Sequence, residues 1–210
     1  VNDPPEALSL KLFADADFAG CTKTSRSTSG VFLCLVGPNT FMPLAAISKK
    51  QTCVSHSTPE AELVAADLAL RAEGLPALDL WEVILGRKVK LSFQEDNQAA
   101  IVVLKSGYSS ALRHMGRTHK VCLRWLSERV VNKEVDVEYC VSALQAADIF
   151  TKGFTDQIKW SEAIKNINIC SPQNASSSKD AGKKPKPDTK ASQDKKTIPG
   201  GLSGEPKAHA

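Results

Sequence analysis

The sequence predicts an α/β domain built on a mixed sheet, and three observations carry that reading. Residues 8–50 hold three apolar runs separated by Gly, Ser, Thr, Pro and Asn, the pattern of an antiparallel meander. After Thr58 the apolar residues recur at helical spacing. Beyond residue 89, strand-like runs alternate with helical ones, so later strands join the sheet through helical crossovers.

The first strand takes residues 8–15, where Leu10, Leu12 and Phe13 run straight into Asp15 and Asp17. Two explanations are open: Asp and Gly20 begin a turn, or the strand carries a carboxylate to a metal site. After the loop "AGCTKTSRSTSG", residues 31–37 ("VFLCLVG") form a second strand and Pro38-Asn39 the next turn. Residues 41–50 return as a third strand, with Pro43 marking an edge or an irregular start.

From Thr58 to about Ile84, Ala61, Leu63, Val64, Leu68 and Leu70 follow a helical period. Thr58 suits the N-cap and Pro59 the first turn, and Glu60 and Glu62 complement the helix N-terminus. Gly74 and Pro76 are expected to split this helix in two. Residues 89–96 form a fourth strand that also ends in carboxylates, followed by a short helix to Gly107. Residues 109–120 read as a polar, basic loop and 121–132 as an amphipathic helix. Residues 134–140 read as the fifth strand and 142–152 as the last helix of the core.

Charge is unevenly divided. Residues 1–170 carry 19 Lys+Arg and 19 Asp+Glu, whereas residues 171–210 carry 8 Lys and 4 acids and hold the whole net charge of +4. That tail lacks aromatic residues and has little to bury, so it is expected to be disordered. The six cysteines include no C-x-x-C pair, and no apolar run approaches the length of a membrane span. The expectation is a reduced, soluble, intracellular chain, and the start at Val1 suggests a piece of something longer.

Four acids occupy four separate elements: Asp15 and Asp96 at strand ends, Glu62 early in a helix, Asp148 on the last helix. Each has a plain explanation. Glu62 complements a helix dipole, Asp96 caps the helix opening at Asn97, and Asp148 pairs with Lys152 four residues on. If the four converge, their repulsion calls for a divalent cation, and an all-oxygen donor set suits magnesium or manganese rather than zinc. Two such ions about 3.5–4 Å apart are the known device for in-line phosphodiester hydrolysis. His56, His114, His119 and His209 are scattered along the chain, and no phosphate loop or G-x-S-x-G motif competes.

The stretches "FADADFAGC" with "RSTSG", "AISKKQTCVSHSTPEAELVAA", "EDNQAAI" and "LQAADIFTKGF" resemble the ribonuclease H domain of copia-type LTR retrotransposon polyproteins. That domain follows reverse transcriptase, and the resemblance spans roughly residues 8–154. It implies a ribonuclease H-like fold, a five-stranded mixed sheet flanked by helices. It divides the chain into a ribonuclease H-like domain (1–154), a helical extension (155–170) and the tail (171–210). It implies metal-dependent cutting of the RNA strand of RNA:DNA hybrids during reverse transcription, with two Mg2+ ions (or Mn2+) and no small-molecule cofactor. Asp15, Glu62, Asp96 and Asp148 are then the catalytic metal ligands, while Asp17 and Glu60 lie behind them or on the surface. Gln98 corresponds to a position that faces substrate, and Asn97, Lys49 and Arg117 are further candidate contacts.

The implied partners are the hybrid duplex and the reverse transcriptase portion of the same polyprotein, with no membrane. The implied location is cytoplasmic, within a retroelement particle, with the nucleus as the alternative. The histidine that many cellular ribonucleases H carry before the last acidic helix is missing from "EYCVSALQAAD". "RTHK" (residues 117–120), where copia-type members carry R-T-K-H, reads as an ordinary polar helix start. The competing function is a catalytically inactive module that binds nucleic acid or serves as a structural part of the polyprotein.

Overall fold

The computed structural model describes residues 3–169. The expected tail (171–210), Cys170 and His209 lie outside the described residues. Five strands form one sheet: β1 (Ser9–Asp17), β2 (Thr28–Val36), β3 (Phe41–Lys50), β4 (Leu91–Glu95) and β5 (Asp136–Tyr139). Their order is β3-β2-β1-β4-β5. β1, β2 and β3 are an antiparallel meander, and β4 and β5 join in parallel, β4 against β1 and β5 against β4. The expected five-stranded mixed sheet flanked by helices is observed. Pro43 does lie on an edge strand, beside a register shift at Leu33/Cys34.

β1 is longer than its sequence suggests. It runs through Asp15 to Asp17, because β2 starts at Thr28 and pairs Asp15 with Gly30 and Asp17 with Thr28. On its other side the ladder with β4 stops at Phe13, opposite Gln94. Asp15 therefore sits on a rigid strand paired on one side only, where the sheet opens. Leu10 and Leu12 are wholly buried, and each contributes about 1.5–3 kcal/mol. They join the larger core beneath the helices, whereas Phe13 faces a smaller core with Phe32, Cys34, Ala146, Ala147 and Ile167.

The helices are α1 (Thr58–Ala69), α2 (Leu75–Leu85), α3 (Gln98–Ser106), α4 (Met115–Thr118), α5 (Leu123–Val131) and α6 (Gln157–Asn166). Ser57, not Thr58, caps α1, accepting from the Glu60 N–H. The run expected to split at Gly74 and Pro76 does form two helices, α1 and α2, but the chain between them stays helical. A π turn (Leu70–Gly74) carries the helix through, and Pro76 falls in the first turn of α2, where its missing N–H is tolerated. Gly74 lets this turn sit against the sheet, since a Cβ there would lie 2.9 Å from Leu12 Cδ2.

The helix expected over 142–152 is instead two short 3-10 helices, Ser142–Leu144 and Ala146–Phe150. Gln145 separates them. Its buried amide donates from Nε2 to the Ala14 carbonyl (2.9 Å), and its Oε1 accepts from the Ala147 N–H (3.3 Å). A buried side chain that pins the segment to β1 is worth more than the hydrogen bonds of one further helical turn. α6 is capped by Asp156 and lies in the extension expected beyond residue 154.

Candidate metal centre

Three of the four acids meet at the open end of the sheet. One carboxylate oxygen each from Asp15, Glu62 and Asp96 lies within 4.8 Å of the others. Asp15 comes from the part of β1 beyond the β4 ladder, Glu62 from the first turns of α1, and Asp96 from the residue after β4. Asp15 and Glu62 are buried and Asp96 half-buried. They line one cleft together with Asp17, Thr58, Asn97 and Lys152.

Asp148 stands beside this trio rather than in it. Its Oδ1 accepts from Lys152 Nζ at 2.7 Å, and the same ammonium lies 3.6 Å from Asp15 Oδ2. The ion pair expected as the plain explanation for Asp148 is thus formed, and it also reaches Asp15. Thr151 Oγ1 donates to Asp15 Oδ2 at 2.5 Å. Gly30 permits this arrangement: a Cβ there would lie 2.6 Å from both the Ala147 carbonyl oxygen and Thr151 Cγ2.

Crowding shows in the acidities. Burial, then the carboxylates of Glu95, Asp15 and Asp96, push Glu62 up to about 10. Burial likewise raises Glu95 to about 8, with the Asn97 N–H opposing and Asp96 and Asp15 adding to the rise. Asp148 rises to about 6 through burial and Asp15, against the pull of Lys152. For Lys152, burial alone would lower the pKa, but Asp148 and Asp15 outweigh it and hold the ammonium charged. Glu62 Oε2 and Glu95 Oε2 are buried without a hydrogen-bond partner. Orphaned carboxylate oxygens in an all-oxygen donor set fit a hard divalent cation.

The remaining candidates are dispersed. Asn97, not Asp96, caps α3: its Oδ1 accepts from the Ala100 N–H, so that oxygen is occupied although the residue borders the cleft. Gln98 is exposed at the start of α3. Lys49 is exposed on β3 beside Arg71 and His119, and Arg117 is exposed on α4; neither lines the acidic cleft.

Two features escaped the sequence reading. Glu95, wholly buried one residue before Asp96, adds a fifth carboxylate to the neighbourhood. Strand alternation places it on the face of Phe93, which could have flagged it. Glu60, expected behind the ligands or on the surface, is buried and accepts three hydrogen bonds. These come from the His56 N–H (3.0 Å), His114 Nε2 (3.0 Å) and His119 Nε2 (2.7 Å). "RTHK" is accordingly no mere polar helix start, since the His119 side chain is only 2% exposed. The pattern Ser57-x-x-Glu60 was the readable signal, a capping-box spacing whose glutamate turns back toward the helix entry.

No family model and no curated protein sequence matches the chain. Among solved structures it is similar to a ribonuclease H1 isolated from compost by a metagenomic approach, at 11% identity and a TM-score of 0.48. That likeness covers 68% of this chain and 92% of the other. It is similar to the N-terminal ribonuclease H domain of a Mycobacterium tuberculosis protein at 14% identity and a TM-score of 0.45, over 68% of this chain and 95% of that one. It is also similar to the ribonuclease H domain of PFV at 12% identity and a TM-score of 0.42, over 76% and 91% of the two chains.

Proposed function

We propose that this chain is a divalent-metal-dependent endonuclease that hydrolyses the RNA strand of RNA:DNA hybrids during retroelement reverse transcription. The observation that carries the reading is the convergence of Asp15, Glu62 and Asp96, from elements far apart in sequence, with a buried Glu62 oxygen left without a partner. The resemblance of "DAD", "EAE", "EDNQ" and "ADIFTK" to copia-type ribonuclease H supports the same four acids. Asp15, Glu62 and Asp96 would hold magnesium or manganese, with Asp148 as the fourth ligand. A bound divalent ion supplies Lewis-acid stabilisation of phosphodiester charge and acidifies water.

The chain's own residues set the rest of the chemistry. Rigid placement of Asp15 on a paired strand, and of Glu62 on a capped helix, holds the acids without a large reorganisation when substrate arrives. Thr151 fixes the rotamer of Asp15 through its hydroxyl. Hybrid backbone approaching so acidic a cleft needs cations around it, and Lys152 stands at the cleft itself. Asn97 at the cleft's border, and Gln98, Lys49 and Arg117 outside it, are assigned to substrate, with little sequence preference and an affinity that falls with salt. The reverse transcriptase portion of the polyprotein is the proposed neighbour, residues 155–170 and the tail the proposed appendages. No helix among the described residues is long and apolar enough to cross a membrane.

The test is cleavage of an end-labelled RNA strand annealed to DNA, in magnesium and then manganese, beside Asp96→Asn. Metal-dependent cutting of the hybrid but not of duplex DNA, lost in the variant, is expected. A folded chain that binds the hybrid and leaves it intact under both metals would overturn the proposal in favour of a binding module.

A further inference from the structure

Lys152 is a cation set among the acids of the cleft. Its Nζ lies 2.7 Å from Asp148 Oδ1 and 3.6 Å from Asp15 Oδ2, and it borders the same cleft as Glu62 and Asp96. The position is built rather than casual. The Lys152 and Thr151 N–H groups both donate to the Asp148 carbonyl (3.1 Å each), and the Thr151 hydroxyl donates its proton to Asp15 Oδ2. Gln145 fastens the segment to β1 through Ala14. The lysine therefore enters from a turn held at both ends, with its ammonium between the carboxylates of Asp15 and Asp148.

That is where a second divalent ion would have to bind. Ions in two-metal sites stand about 3.5–4 Å apart, so a second ion would need acids close to the first. With one ion on the Asp15–Glu62–Asp96 side, a second that drew on Asp148, the remaining acid of the four, would lie against Asp15 as well, and the ammonium already bridges those two. An ammonium is a compact point charge on a flexible stem, so it can leave this bridge for a phosphate oxygen without moving the backbone.

Resting on the reading of this cleft as a metal centre, we propose that Lys152 is a resident cation occupying the second-ion place. The free domain takes up one divalent ion at Asp15, Glu62 and Asp96. The second enters only when Lys152 gives up Asp148 and Asp15, which an arriving backbone phosphate induces by offering the ammonium another anion. Lys152 is thus a positioning residue that couples the loading of the site to the presence of substrate.

The experiment counts ions rather than products. Manganese is titrated into the full chain without nucleic acid, and free Mn2+ is followed by electron paramagnetic resonance. Wild type, Lys152→Met and Lys152→Arg are compared, with circular dichroism confirming that each is folded. Wild type and Lys152→Arg are expected to bind one ion well and a second weakly. Lys152→Met, which removes the charge but keeps the length, is expected to bind the second at least about tenfold more tightly, as relief of one unit charge at this distance allows. Lys152→Gln, a polar replacement, should follow Lys152→Met and keeps the test open if the latter does not fold. Equal second-ion affinity in wild type and the neutral variants would overturn the inference while leaving the metal centre intact. Absence of manganese binding in every variant would overturn the metal centre and the inference together.

Discussion

Replacing Gly30 with alanine tests whether the 146–151 segment, and not the sheet alone, builds the cleft. The new Cβ would lie 2.6 Å from the Ala147 carbonyl oxygen, 2.6 Å from Thr151 Cγ2 and 3.2 Å from Phe150 Cβ. The first of these is backbone and cannot rotate away. Ordinary contact begins near 3.4 Å, so the segment must shift by the better part of an ångström. Overpacking of this kind costs about 1–3 kcal/mol. In a chain of this size each kcal/mol lowers Tm by about 2–4 °C, so a fall of roughly 2–12 °C is expected. The same shift carries Thr151 and Asp148 away from Asp15, so the stabilisation expected from manganese under the proposed function should also shrink. Calorimetry of the wild type and Gly30→Ala, each with and without manganese, measures both effects. Adding Thr151→Ser removes the clashing methyl and keeps the hydroxyl, and should return part of the lost Tm. A coupling of about 0.5–3 kcal/mol in that cycle is the scale for residues in contact. A Gly30→Ala chain with unchanged Tm and unchanged response to manganese would refute the reasoning.

Two further expectations concern pH. Glu62, Glu95 and Asp148 have folded-state pKa values raised above their unfolded ones, so their contribution to the stability of the metal-free chain is full below the unfolded values and is lost as pH climbs through about 6 to 10. Glu62→Gln should flatten that decline in urea titrations, each relieved pKa unit being worth about 1.4 kcal/mol, and parallel curves for the two proteins would contradict it. Glu60 behaves oppositely: burial opposes its charge, but the hydrogen bonds from His56, His114 and His119 hold its pKa below the usual value. Its contribution is present above the unfolded value and is lost as pH falls through the lowered one. Glu60→Gln should therefore cost about 1.5–3 kcal/mol at pH 7 and progressively less in acid, and a constant deficit across pH would exclude the charged acceptor.

The strands and the acids were legible because their signals are local. Alternation and turn residues mark β1 to β5, and a carboxylate after an apolar run stands out wherever it occurs. Boundaries set by a partner were not legible. β1 passes Asp15 only because β2 begins early enough to pair with it. The last core helix is broken because Gln145 finds Ala14, 131 residues earlier in the chain. Pro76 looked like a helix breaker, and nothing local announces the π turn that absorbs it. The histidines looked scattered because the contact that gathers two of them lies 54 and 59 residues away, at Glu60.

That contact explains why "EAE" carries two acids. Residues two apart on an α-helix project about 200° apart around its axis, so Glu60 and Glu62 cannot serve one site. Glu62 turns to the cleft with Asp15 and Asp96, while Glu60 turns to His114 and His119. The entry of α1 is thereby held from both directions. Ser57 and the His56 N–H close its first turn, and the segment around α4 grips the opposite face through two imidazoles. Arg113, Arg117 and Lys120 lie on that gripped segment, so these cations are fixed with respect to the helix that presents Glu62. Under the proposed function, a duplex contacting them would meet the acidic cleft at a distance set by Glu60, and loosening that residue should degrade substrate placement before it disturbs Asp15, Glu62 and Asp96.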